Sequence, residues 1–140
     1  MIDDKQEQAL YTSVIGAFYE VYNHLGFGFL ETYYVRALEW ELRERGHDVR
    51  REVGIRMRYK HLVLGRLRLD MIVDGSLVVE AKSTAILAPF SSRQIYNYLR
   101  ASNLELGLLL HFGPKPLFKR IFCRERHKAP NIRNHLAHSD

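Results

Sequence analysis

The residues with the most chemical promise lie in one stretch, RLRLDMIVDGSLVVEAKS, residues 66–83. It holds two carboxylates and an amine, Asp70, Glu80 and Lys82, on two runs that read as adjacent strands. Glu80 and Lys82 are two positions apart and therefore share a strand face. Two carboxylates can hold a hard cation such as Mg²⁺ or Mn²⁺. Such an ion polarises a phosphate and lowers the pKa of a bound water, while an amine beside it can orient that water or offset charge building on the phosphoryl oxygens. The chemistry is metal-assisted phosphodiester hydrolysis. Taken alone, D-x₉-E-x-K is a weak pattern that a solvent-facing Glu–Lys pair on an exposed strand fits better. The neighbours argue against that. Leu77, Val78 and Val79 precede Glu80, and Ala81, Ile86 and Leu87 continue the apolar character, as in a strand covered on both faces.

The geometry of the turn between the two runs decides whether the carboxylates can meet. Asp74-Gly75 is a hairpin signal. A two-residue loop would place Asp70 and Glu80 on opposite faces of the sheet. An odd-length loop, Val73-Asp74-Gly75, would pair Ile72 with Ser76 and set Asp70 opposite Val78, with Glu80 its diagonal neighbour on the same face. The chemistry requires the odd loop, so it is the expected one.

Other polar residues could join the group. Between Leu30 and Arg45 a helix is expected, and on its wheel Glu31 falls between Leu38 and Leu42. A carboxylate in an apolar arc needs a partner or a metal. Alternatively, Glu31 acts only as a favourable charge in the first helical turn. In SSRQIYNYLRAS, Gln94 and Tyr98 are four apart and share a helix face, from which both could bond a phosphate; an ordinary amphipathic helix has the same pattern. His135-x-x-His138, with His127 upstream, has ligand-like spacing, but a polar tail rarely builds a metal site. Phe27 and Phe29 read as core staples in preference to base-stacking platforms.

Several elements must position these residues. Leu10, Val14, Phe18, Val21 and Leu25 form one stripe of a helix over 6–25 that ends at Gly26-Phe27-Gly28. Val53, Ile55, Met57 and Tyr59 alternate with polar or small residues, as do Leu67, Leu69, Met71 and Val73, which predicts two half-buried strands. Residues 76–82 form the next strand. Pro89 and Ser91 introduce a helix over 92–102. Leu106–Phe112 reads as a central strand, and 117–122 as a last one. An antiparallel meander followed by a helical crossover implies an α/β domain, a mixed sheet of four to five strands flanked by helices. One domain over 1–123 is expected, with a polar, basic and loosely packed tail over 124–140.

Bulk properties narrow the function further. One cysteine in 140 residues excludes an internal disulfide and a four-cysteine metal site. The N-terminal MIDDKQEQAL has no signal-peptide character, and no apolar run is long enough to span a membrane, so a cytoplasmic protein is the simplest reading. The net charge of +5 is unevenly spread: residues 1–42 carry two basic against seven acidic groups, residues 43–68 nine against three, and residues 69–140 ten against six. A basic middle is compatible with a bound polyanion. It is also compatible with a solvated strand face.

The segment HLGFGFLETYY contains Gly28-x-x-Glu31-x-x-Tyr34 and resembles the signature of the GxxExxY proteins of bacteria and archaea, a branch of the PD-(D/E)XK nuclease superfamily. The resemblance runs from about Val14 to Phe122. It takes in ALEWELRERG, RLRLDMIVDGSLVVEAK, Gln94-x-x-x-Tyr98, and LGLLLHFG followed by FKRIF. It implies a restriction-endonuclease-like core, with Asp70 and Glu80 as ligands of Mg²⁺ or Mn²⁺ and Lys82 in catalysis. In RecB-like nucleases a first-helix Glu and a Q-x-x-x-Y helix complete the site, which maps to Glu31, as a further metal ligand, and to Gln94 and Tyr98. Two positions depart from the pattern: Leu69 replaces the proline of the PD motif, and His111 stands where Asn is expected. The implied substrate is DNA, less favourably RNA. A domain of this size would need a second copy to cut both strands at once. The rival readings are a nucleic-acid-binding module that retains the fold without cleaving, and an interaction subunit that supports a protein partner.

Overall fold

The computed structural model describes residues 2–124. The tail, including His127, His135 and His138, lies beyond the described residues, apart from Arg124, whose guanidinium reaches Glu7 and Glu105 at 3.5 Å each.

The chain runs α1 (Asp4–Leu25), α2 (Glu31–Glu44), β1 (Val49–Tyr59), β2 (Leu62–Val73), β3 (Leu77–Lys82), α3 (Ser91–Arg100), β4 (Leu106–Phe112) and β5 (Pro116–Phe122). The five strands form one sheet in sequence order. The β3–β4 pair is parallel and the rest are antiparallel, so this is the mixed sheet expected, with helices on both faces. Among the described residues no helix is long and apolar enough to cross a membrane.

Two cores sandwich the sheet. On one face α1 and α2 bury Leu10, Val14, Phe18 and Val21 with Tyr34 and Leu38 against Val79, Leu108 and Phe112. The α1 stripe is the predicted one except at its end, where Leu25 is 37% exposed. Asp3 and Gln6 form a reciprocal capping box at its start. On the other face α3 buries Ile95 and Leu99 against Val78, Leu109 and Ile121. Gly107 permits this approach: a Cβ there would stand 2.7 Å from Ile95 Cγ2. The N-cap of α3 is Phe90, without a side-chain bond; Ser91, expected to introduce the helix, is its first residue and is buried.

The β1–β2 hairpin is longer than the alternation predicted, because residues 62–66, exposed throughout, extend β2 to a turn at Lys60-His61. It also turns over midway. Residues two apart on a strand normally share a face, yet Met71 lies in the α1/α2 core and Leu69 in the α3 core. Opposite this point Glu52 has φ 53°, a left-handed value that rotates β1. The ladder passes from Arg51↔Met71 to Val53↔Leu69, with Glu52 and Asp70 at the twist.

The β2–β3 turn has the expected odd length in a different place. Its register is Val73↔Leu77, Ile72↔Val78 and Met71↔Val79, so the loop is Asp74-Gly75-Ser76 and not Val73-Asp74-Gly75. Asp74 and Gly75 have φ 51° and 64°, and Ser76 N–H donates to Val73 O at 3.0 Å. Contacts with the segment just before β1 account for the shift. Asp74 N–H donates to Asp48 O, and the Asp74 carboxylate accepts from Asp48 N–H and His47 Nδ1. Extended by one residue, the register sets Asp70 directly opposite Glu80.

Candidate active site

At Asp70 and Glu80 side chains take over from the β2–β3 main-chain ladder. Asp70 N–H donates to Glu80 Oε1 at 2.8 Å, and Ala81 N–H donates to Asp70 Oδ2 at 2.9 Å. Each carboxylate thereby satisfies a backbone donor of the other strand. The overturned hairpin makes this exchange available, since Asp70 sits where β2 rotates.

Glu80 is 5% exposed, and its pKa is pushed up to about 8. Burial is the main cause and the Asp70 carboxylate the next, partly offset by the Asp70 N–H bond and by Lys82. Lys82 is half-buried, and its Nζ donates to Gln94 Oε1 at 3.3 Å. One helical turn beyond Gln94, Tyr98 is buried; its hydroxyl pKa rises to about 12 through burial, then Glu80 and Asp70.

Glu31 is the first residue of α2 and is exposed, so it is not in the apolar arc where the wheel placed it. Its pKa is still raised, first by the partial desolvation of its surroundings and next by the Asp70 carboxylate, with Lys82 opposing. The three named residues of Gly28-x-x-Glu31-x-x-Tyr34 have different tasks. Gly28 has φ 113°, which an L side chain rarely adopts. Tyr34 is fully buried and stacked on Phe112 with centroids 4.2 Å apart; its hydroxyl donates to Gly26 O and accepts from Phe29 N–H. Ser83 Oγ, just past β3, donates to Phe29 O and ties this loop to the strand that carries Glu80 and Lys82. Glu31 is thus delivered toward the carboxylates. Tyr34 is the staple; Phe27 and Phe29, expected in that role, are 45% and 49% exposed.

Glu31, Lys82, Gln94 and Tyr98 border two adjoining cavities, whose linings do not include Asp70 or Glu80. One, of about 690 Å³, is lined by Glu31, Lys82, Leu87, Phe90, Arg93 and Gln94. The other, of about 400 Å³, lies between α3 and the hairpin and is lined by Met57, Leu67, Arg93, Gln94 and Tyr98 among others. Arg93 and Asn97 line both and escaped the sequence reading; Asn97, three residues after Gln94, carried a usable signal in its helical spacing. His111, the departure from the family pattern, is buried in β4 opposite Lys82. Its Nε2 lies 2.8 Å from Thr84 O and 3.0 Å from Thr84 Oγ1. A carbonyl only accepts, so Nε2 carries the proton and pins the segment after β3 that leads into the cleft wall.

Among the described residues no three His, Cys, Asp or Glu side chains cluster closely enough to enclose a metal ion by themselves. The Asp70–Glu80 pair nevertheless suits a hard divalent cation. Its donors are oxygens, and burial and mutual repulsion disfavour its double negative charge, which a cation would relieve.

A sequence model of the PD-(D/E)XK nuclease superfamily matches residues 8–121, from the first turns of α1 to Ile121 in β5. No curated protein and no solved structure matches. The matched span contains all of the mixed sheet but its last residue, Phe122, together with all three helices' core-facing residues and the Asp70–Glu80–Lys82 segment, and the chain belongs to the PD-(D/E)XK nuclease superfamily.

Proposed function

We propose that this chain is a cytoplasmic, Mg²⁺- or Mn²⁺-dependent nuclease of the GxxExxY branch that hydrolyses phosphodiester bonds in DNA, RNA being the less favoured substrate. The observation that carries the reading is the meeting of the Asp70 and Glu80 carboxylates at the end of the β2–β3 ladder, with Lys82 held beside them by Gln94.

Asp70 and Glu80 would hold the cation, with Glu31 at the rim as a further ligand. When bound, the ion supplies Lewis-acid polarisation of the phosphate and acidifies an attacking water. The rest falls to the chain's own groups. The Lys82 ammonium offsets negative charge growing on the phosphoryl oxygens, and Gln94 Oε1 keeps Nζ turned toward the cleft. Tyr98, with its pKa near 12, stays protonated at neutral pH and serves as a donor to phosphate oxygen. Arg93 adds a fixed positive charge to the wall.

The test is a Mn²⁺-supported cleavage assay on linear, circular and single-stranded DNA, with Lys82→Ala as control. Cleavage by the wild type and none by the variant is expected. No cleavage of any substrate with either metal would refute the reading.

A further inference from the structure

The β1–β2 hairpin has features that the cleft does not use. Pairing of β2 with β3 covers only Met71–Val73, while pairing with β1 continues to Leu62. Residues 62–69 therefore extend past the β3 pairing as half of a two-stranded ribbon about 25 Å long at 3.3–3.4 Å per residue. Its inner face is anchored: Val53, Ile55 and Leu69 are buried against α3, and Met57 and Leu67 pack at their border. Its outer face is cationic. Arg56 lies directly opposite Arg66, and Arg68 opposite Gly54, with the Arg66 guanidinium lying over that glycine. Like charges directly opposite on paired strands destabilise a sheet. Residues 53–69 include Arg56, Arg58, Lys60, Arg66 and Arg68 and contain no Asp or Glu. Glu52, just before this span, reaches Arg68 at 4.0 Å between exposed side chains. At the tip Tyr59, Leu62, Val63 and Leu64 are about half exposed or more, and Lys60 Nζ stands 5.3 Å from the Tyr59 ring centroid.

We infer that the outer face of this ribbon is a second nucleic-acid surface, outside the cleft, which takes the backbone of duplex DNA. The exposed Arg56, Lys60 and Arg68 fit a polyanion, whose phosphates each cation can neutralise. A two-stranded ribbon has the width that the major groove admits. The apolar tip suits contact with sugars and base edges. A second copy of this chain is the poorer occupant, because two ribbons with five cations and no acid apiece would repel. The inference rests on the proposed nucleic-acid substrate, not on its cleavage.

The experiment measures binding of a labelled 20-base-pair duplex by fluorescence anisotropy over a range of salt concentrations, without divalent metal. The proteins are the full chain and its Arg56→Gln/Lys60→Gln/Arg68→Gln variant. At about 0.9 counterions per phosphate contact, the slope of log affinity against log salt should fall by about 3, with at least a tenfold loss of affinity at 0.1 M salt. The variant Arg56→Lys/Arg68→Lys should keep the slope, and calorimetric Mn²⁺ binding should be the same in all three proteins. An unchanged slope in the triple variant would overturn the inference, as would no duplex binding by the wild type. Preference for a single-stranded oligonucleotide, or sedimentation showing a dimer that the triple variant stabilises, would overturn it too. Binding that depends on the ribbon in a protein that never cleaves would remove the nuclease reading and leave the ribbon surface standing.

Discussion

The two faces of the sheet are covered very differently. On one, α1 with 22 residues and α2 with 14 seal an aromatic core in which Phe112 contacts Phe18, Tyr22 and Tyr34. On the other lies α3, with 10 residues. As the crossover between the parallel strands β3 and β4, α3 runs along the sheet and covers about 10–12 Å of its width, whereas five strands at 4.8 Å span about 19 Å between outer axes, and the ribbon extends further. One short helix leaves a strip of that face open. Lys82, Gln94, Tyr98 and the two cavities border the strip. Stability thus depends most on the sealed face, and the proposed chemistry falls on the other, beside the open cavities.

The most disruptive test of this division is Phe18→Ala. Deleting a fully buried ring from the sealed face should cost about 3–5 kcal/mol in urea unfolding. Cleavage per folded molecule should not change; a specific loss of cleavage at unaltered stability would break the comparison. Lys82→Ala is the converse. It should lower cleavage by about 10²-fold or more while leaving unfolding and calorimetric Mn²⁺ affinity near wild type, because the amine acts on charge in the transition state and is not a metal ligand. Cleavage at the wild-type rate would remove Lys82 from the mechanism.

Glu80→Gln should weaken Mn²⁺ binding and raise the metal-free melting temperature by several degrees, since Gln can still accept the Asp70 N–H and carries no charge to bury. Asp70→Asn should weaken Mn²⁺ binding as well. The sign of the pH dependence follows from the raised pKa. Near pH 4 Glu80 is protonated in both folded and unfolded chains. As pH rises toward 8 the unfolded chain releases its proton first, so the metal-free protein loses stability across that window. Melting scans of wild type and Glu80→Gln from pH 5 to 8 should converge at the acid end. Parallel curves would contradict the assignment. The smallest effect is expected from Tyr11→Phe on the sealed face. Its hydroxyl donates to Gly107 O at 3.0 Å, and losing that buried bond should cost about 1 kcal/mol by urea unfolding, without effect on cleavage.

Much of the sealed face was legible in the sequence, because its signals are local. The α1 stripe and the apolar run of β4 depend only on residue spacing, and Leu106–Phe112 is buried at every position. The cleft side was legible as chemistry but less so as geometry. Requiring Asp70 and Glu80 on one face gave the parity of the hairpin. The loop's actual residues depend on Asp74 bonding to Asp48 and His47, partners 26 and 27 positions away that no turn rule includes. Residues 62–66 escaped because Leu62-Val63-Leu64 does not alternate and pairs only with β1. Glu31 defeated the helical wheel because a wheel assumes that the core extends to the helix end, whereas the first turn of α2 lies in the open. Phe27 and Phe29 are carried outward by a loop in which Gly26 and Gly28 both have positive φ.

The bonds from Glu80 Oε1 to Asp70 N–H and from Asp70 Oδ2 to Ala81 N–H also bear on how related sequences are read. Where the main-chain ladder stops, these side chains are mortar between two strands. A descendant that lost all catalysis would still need a side-chain acceptor at both positions, carboxylate or amide, because removing either would strand a backbone N–H between the strands. An acceptor at these positions serves cohesion, and the negative charge is what the strand bonds themselves do not require. Lys82 has no such duty: its Nζ bonds an exposed glutamine across the cleft, and no backbone donor depends on it. Of the three residues, the lysine is therefore the one whose loss the pairing of the strands would not register.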